Sequence, residues 1–128
     1  MNIKITQEQA RLPVTVFHVE DRVNLGNAEE LMKAAQQAYD QGTRDLVIDL
    51  GEVPSITSAG LRALLFILKL LQTEAASGSQ TQEVSPPQKS AHLKLANPSD
   101  QIRMVLKTAG FERYLAIYDS TEEALASY

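Results

Sequence analysis

The chain has 128 residues, enough for one domain around a single core. Its 44% apolar and 22% charged content is that of a globular protein, and a net charge of −4 disfavours nucleic acid or an anionic membrane surface as partner. With no cysteine, disulfides, zinc–thiolate sites and thiol nucleophiles are excluded.

The first residues, Met1-Asn2-Ile3-Lys4-Ile5, do not form the charged-then-apolar pattern of a secretion signal. Residues 3–7 and 13–19 read as two strands paired across a short turn, the second rich in β-branched side chains. Asn27 is placed to cap a helix over 28–40, in which Leu31, Ala34, Ala35 and Ala38 share one face. Gly42 ends that helix as a left-handed residue. Residues 46–50 are nearly all apolar apart from Asp49, the mark of a central strand. Then come Gly51-Glu52-Val53-Pro54-Ser55-Ile56-Thr57, a hydroxyl-rich turn, and a helix over 58–73.

That helix is apolar over most of its circumference: Leu61, Leu64, Leu65, Phe66, Ile67, Leu68, Leu70 and Leu71. Arg62 and Lys69 interrupt the run, which is too short to span a bilayer, so a cytoplasmic protein without membrane insertion is expected. One helix on a sheet buries a single stripe, so part of this surface is expected to stay exposed and to serve partner docking.

Residues 74–90 hold Ser, Gln and Pro87 beside Pro86 but almost no large apolar side chain, and read as a mobile loop inserted in the domain. Order resumes with a strand over 92–96. A helix over 100–109 opens at Asn97-Pro98-Ser99-Asp100 and ends at Gly110. Residues 115–118 form a last strand or extended segment, and Asp119-Ser120-Thr121-Glu122-Glu123 caps a terminal helix. The expected fold class is α/β, one domain over 1–128: a mixed sheet of four to five strands with about four helices packed on it.

Ser58 is the candidate functional residue. A hydroxyl at the mouth of a helix sits where backbone N–H groups and the helix dipole favour negative charge. It can be a cap contributing about 1 kcal/mol, an anion site, or a residue that a kinase phosphorylates. Thr57 and Ser55 are weaker phosphorylation candidates, because turn hydroxyls commonly bond the local backbone. Gly60 is expected to allow close helix–sheet packing. His18 and His92 fall on different strands without companion ligands, as rim histidines rather than a metal or catalytic pair. No phosphate loop, nucleophile elbow or useful carboxylate pair occurs, so neither an enzyme nor a cofactor is expected.

The segment Asp49-Leu50-Gly51-Glu52-Val53-Pro54-Ser55-Ile56-Thr57-Ser58-Ala59-Gly60-Leu61 resembles the signature of the STAS domain, and within it the bacterial anti-sigma factor antagonists. Asn97-Pro98-Ser99-Asp100 and Asp119-Ser120-Thr121-Glu122-Glu123-Ala124 are similar to the family's later landmarks. The resemblance implies a STAS-like fold and a non-catalytic switch. Such a protein binds an anti-sigma factor that is a GHKL-type serine kinase, and phosphorylation of a serine at the start of this helix ends the binding. A serine phosphatase is then a second partner.

In the best-known members the turn reads Asp-Ser-Ser-Gly-Leu with the second serine modified; that serine is Ala59 here, which leaves Ser58 as the acceptor. The turn's acid is Thr57, and a second family acid after the second strand is Asn24. The resemblance implies that both acids assist phosphoryl transfer. It also implies a partner-binding surface of Asn24, Thr57, Ser58, Ala59, Gly60, Leu61, Arg62 and Leu65. An alternative is a STAS subunit of a signalling complex or of a lipid or anion transport system, permanently docked and not phosphorylated. A third reading is small-anion or nucleotide binding at the helix start. The leucine-rich helix also makes a homodimer an expectation.

Overall fold

A computed structural model describes residues 2–76 and 92–128. Strand β1 (Ile3–Gln9) is followed by β2 (Pro13–Val19), helix α1 (Ala28–Asp40), β3 (Leu46–Asp49) and α2 (Ser58–Ala76). The second half holds β4 (Leu93–Ala96), α3 (Asp100–Thr108), a 3₁₀ turn (Phe111–Arg113), β5 (Ala116–Tyr118) and α4 (Thr121–Ala126). Helix α2 runs on through residues 74–76, beyond the loop start expected from composition. The rest of that expected insertion lies outside the described residues.

The five strands lie in the order β1-β2-β3-β4-β5, antiparallel between β1 and β2 and parallel elsewhere. This is the expected mixed sheet with four helices. Because the order advances in one direction, right-handed crossovers deliver α1, α2 and α3 to the same face. The main core therefore joins Phe17, Ile48 and Leu95 of the sheet to Leu31 of α1, Leu64 and Ile67 of α2, and Ile102 and Leu106 of α3. On the opposite face α4 covers Val14, Val16, Val47 and Ala96 through Ala124. Both faces of β3 are thus buried over Leu46, Val47 and Ile48, which explains that apolar run.

A buried cation on the α4 face was not foreseen. Lys94 is 6% exposed. Its Nζ donates to Ser127 O at 3.1 Å and Ser127 Oγ at 2.7 Å, and lies 3.9 Å from the centroid of the Tyr128 ring. The Tyr128 hydroxyl donates to Leu46 O at 3.0 Å and His92 O at 2.8 Å, tying the end of the chain to the start of β3 and β4. Burial, and then the nearby Asp45 carboxylate, hold this phenol well above the ordinary tyrosine range.

Candidate functional site

The site forms where two loops meet above the C-terminal ends of β2 and β3. Val23, in the β2–α1 loop, makes an isolated parallel bridge with Ile56 in the β3–α2 loop. Val23 N–H donates to Ser55 O at 3.0 Å, and Thr57 N–H donates to Val23 O at 2.9 Å. These bonds bring the Asn24 turn alongside the start of α2.

Gly60 makes this approach sterically feasible. A Cβ there would lie 2.6 Å from Ile56 Cγ1, 2.9 Å from Val23 Cγ1 and 3.0 Å from Val23 O. The sequence had suggested helix–sheet packing; the surface that actually meets Gly60 is the bridge between the two loops.

Thr57, not Ser58, caps α2. Thr57 O accepts from Leu61 N–H at 2.9 Å, and Thr57 Oγ1 accepts from Gly60 N–H at 3.4 Å while donating to Val23 O at 3.4 Å. The residue just before the helix is the one whose side chain can reach back to the free N–H groups, and that residue is Thr57. Ser58 is the first helical residue and is exposed. Its hydroxyl makes no hydrogen bond among the described residues, and the N–H groups of Ser58 and Ala59 have no acceptor among them. The outcome is an accessible hydroxyl beside two unclaimed donors at the positive end of a helix dipole.

The expected docking residues divide in two. Thr57, Ser58, Arg62 and Leu65 are exposed, and Asn24 and Leu61 are half-buried. Ala59 and Gly60 are buried, so neither offers contact surface; they fix the path of the backbone beneath it. Ser55 is half-buried and its carbonyl is held by Val23. Along α2, Leu64, Ile67, Leu68 and Leu71 enter the core, while Leu65 and Phe66 remain 38% and 39% exposed. Leu65 also lines a groove of about 440 Å³ with Leu68, Lys69, Ala109, Phe111 and Tyr114.

The Asn24 turn is rigid for a legible reason. Asn24 Oδ1 accepts from Gly26 N–H at 2.9 Å, and Asn24 O accepts from Asn27 and Ala28 N–H at 3.2 and 2.8 Å. Asn27 occupies the N-cap position of α1 but makes no side-chain cap bond. Its amide is spent on the loop, accepting from Asn24 N–H at 2.9 Å and donating to Arg22 O at 2.8 Å. At the tip of this braced turn Leu25 is 81% exposed, the most exposed large apolar residue described. Sequence reasoning missed it, because one leucine between two asparagines breaks no pattern; the signal was an apolar residue inside a turn-forming Asn-x-Gly-Asn run.

The histidines are not lone rim residues. His18 Nδ1 lies 2.9 Å from Asp49 Oδ2, and His92 Nδ1 lies 3.0 Å from Asp45 Oδ1, at opposite ends of β3. Asp49 also accepts Gly51 N–H at 2.9 Å through Oδ1, which braces the exit of β3 toward the site. Among the described residues no group of three or more His, Asp and Glu could hold a metal ion, and no helix is long and apolar enough to cross a membrane.

Against known proteins, the STAS domain family model matches residues 4–77. The chain is 31% identical over 106 residues to a Bordetella bronchiseptica protein named as an anti-sigma factor antagonist, BtrV, covering 83% of this chain and 78% of that one. An anti-sigma factor antagonist from Mycobacterium paratuberculosis superposes with a TM-score of 0.73 at 20% identity, over 98% of this chain and 93% of that one. The anti-sigma factor antagonist SpoIIAA in its unphosphorylated form gives 0.63 at 18% identity, over 96% and 93%; SpoIIAA is also known in a phosphorylated form. Those structural likenesses, at low identity, establish the shared fold. The family match and the sequence relationship together show that this chain belongs to the STAS domain family, among its anti-sigma factor antagonists.

Proposed function

We propose that this protein docks onto an anti-sigma factor of the GHKL-type serine kinase class through the start of α2 and the Leu25 turn, and that phosphorylation of Ser58 releases it. The observation that carries the reading is the division of labour between adjacent hydroxyls. Thr57 does the capping, so Ser58 is left exposed and free of structural work. Thr57 and Ser55 are poorer acceptors, one engaged in two hydrogen bonds and the other half-buried.

The physics of release follows from charge. A phosphoryl group on Ser58 adds about −1.5 to −2 charges. Within the domain it meets the unclaimed N–H groups and the positive end of α2, with Arg62 exposed one turn further on, so the fold tolerates it. A partner seated over Leu25, Ser58 and Leu65 has to desolvate that charge, and docking fails. The domain itself supplies no chemistry; the kinase transfers the phosphoryl group and a serine phosphatase removes it, in the cytoplasm.

The test is calorimetric titration of the wild-type protein, Ser58→Ala and Ser58→Asp against the anti-sigma factors encoded in the same genome. Ser58→Ala is expected to bind like wild type and Ser58→Asp at least tenfold more weakly. Failure of every anti-sigma factor to bind would refute the docking. Equal affinity of Ser58→Asp would remove the switch and leave the docking. A second reading, a permanently docked subunit of a signalling complex or of a lipid or anion transport system, is favoured by one observation: the bridge sets Asn24 beside Thr57, an amide and a hydroxyl at the two positions where the family resemblance implies acids. Absence of any Ser58 phosphopeptide from the protein's own cells would select that reading.

A further inference from the structure

Strand β1 is a seven-residue edge strand, and six of those residues are exposed. Its pairing with β2 fixes which backbone groups face outward. Asn2 O accepts Glu20 N–H at 2.9 Å, so the Asn2–Glu20 pair is a hydrogen-bonded one. Bonded pairs alternate along an antiparallel ladder, so Lys4, Thr6 and Glu8 direct their N–H and C=O groups to β2. Two further features agree: Pro13, which has no N–H, falls at a non-bonded position opposite Gln9, and Thr15 N–H is turned to Asp45 O on the β3 side. The N–H and C=O groups of Ile3, Ile5, Gln7 and Gln9 therefore point away from the sheet.

We infer that this edge pairs with β1 of a second copy of the same chain, antiparallel about a two-fold axis at Thr6. That register is self-complementary. Ile5 of one copy faces Gln7 of the other and Ile3 faces Gln9, all with outward backbone groups, giving about eight backbone hydrogen bonds. On the α4 side of the sheet Lys4 faces Glu8 twice across the axis, and Thr6 faces Thr6. On the helix side the two Ile5 side chains, each 51% exposed in a single copy, become diagonal neighbours across the axis. Shifting the axis to Ile5 sets Lys4 against Thr6; shifting it to Gln7 sets Thr6 against Glu8. Among these three registers, only the axis at Thr6 opposes Lys4 to Glu8. The existing contact of Lys4 Nζ with Glu20 Oε2, 3.4 Å on a 74% exposed side chain, leaves Lys4 free to turn.

The pairing extends the sheet to ten strands and, because β1 meets β1 head to tail, places the two Ser58 ends at opposite extremes of the assembly. Each remains open to its own partner. A contact of one strand per copy buries little surface, so the dimer is weak and concentration-dependent.

Two measurements test this. The chain has no cysteine, so Thr6→Cys and Gln7→Cys each introduce a single exposed thiol. Residues facing each other at a non-bonded position have Cα atoms about 4.5 Å apart, within disulfide reach. Mild oxidation is expected to link Thr6→Cys into a covalent dimer and to leave Gln7→Cys largely monomeric. Sedimentation equilibrium is expected to show that Lys4→Glu or Glu8→Lys alone raises the dimer dissociation constant about tenfold, and that the double swap restores it. A monomer at millimolar concentration, equal cross-linking at both positions, or a dimer indifferent to the charge swap would overturn the inference. Circular dichroism of each variant separates loss of pairing from loss of fold.

Discussion

Replacing Gly60 with alanine puts the close approach of α2 and the two loops to a direct test. In an exposed helix the change would stabilise by about 1 kcal/mol, since alanine is the better helix former. Here the new Cβ would sit 2.6 Å from Ile56 Cγ1 and 2.9 and 3.0 Å from Val23 Cγ1 and O. One of those neighbours is backbone, held by the N–H of Thr57 at 2.9 Å, so the helix start or the Val23 loop has to give way. With a 2.6 Å clash backed by a bonded carbonyl, the overpacking falls in the upper part of the usual range, about 2–3 kcal/mol, which outweighs the propensity gain and leaves a net loss of about 1–2 kcal/mol. With an unfolding entropy of about 2.1 cal/mol/K per residue, the melting temperature should fall by about 4–7 °C. Thermal unfolding followed by circular dichroism measures it. The same substitution in an Ile56→Ala background, where the nearest atom is gone, should cost less, because contacting residues couple. A Gly60→Ala protein that melts at or above the wild-type temperature would refute the account of the site's assembly.

Three further outcomes follow from the same geometry. Thr57→Ala should lose about 1 kcal/mol as a removed cap, whereas Ser58→Ala should stay within about 0.5 kcal/mol of wild type; a larger loss at Ser58 in chemical denaturation would show that its hydroxyl does structural work. Leu25→Ala should leave the melting temperature unchanged, since the side chain is 81% exposed, yet weaken anti-sigma factor binding at least tenfold in calorimetry, and unchanged affinity would place the docking surface elsewhere. Tyr128 gives a pH dependence: its phenol is raised above the ordinary value in the fold, so the neutral form favours the folded state fully below about pH 10 and the contribution is lost as pH rises past it. Tyr128→Phe should therefore unfold with a shallower alkaline limb than wild type in denaturant titrations; parallel limbs would contradict the buried, doubly bonded hydroxyl.

Much of the fold was legible because it rests on local periodicity. The β-branched run at 13–19, the apolar run at 46–50 and the helical spacing at 28–40 and 100–109 all became the expected elements within a few residues. The pairings that shape the site were not legible, because they join residues distant in the chain. Nothing near Val23 announces Ile56, and nothing near His18 announces Asp49, 31 residues away. The same blindness moved the cap from Ser58 to Thr57. Either hydroxyl fits a cap by sequence, and the choice was made by Val23 O, which accepts Thr57 N–H and fixes where the loop turns into helix. Asn27 failed as a side-chain cap for a related reason: its amide serves Asn24 and Arg22 instead.

Under the proposed Ser58 switch, that displacement by one residue bears on function more than on stability. A hydroxyl that caps a helix is already engaged with backbone N–H groups, as Thr57 Oγ1 is with Gly60 N–H. One residue later the hydroxyl points outward, and added charge faces the dipole without disturbing the cap beneath it. A switch that must alter a partner's affinity while leaving its own fold intact is better placed at the first helical residue than at the cap. Gly60 and the Val23–Ile56 bridge enforce that placement here, since together they anchor Thr57 and leave Ser58 at the surface.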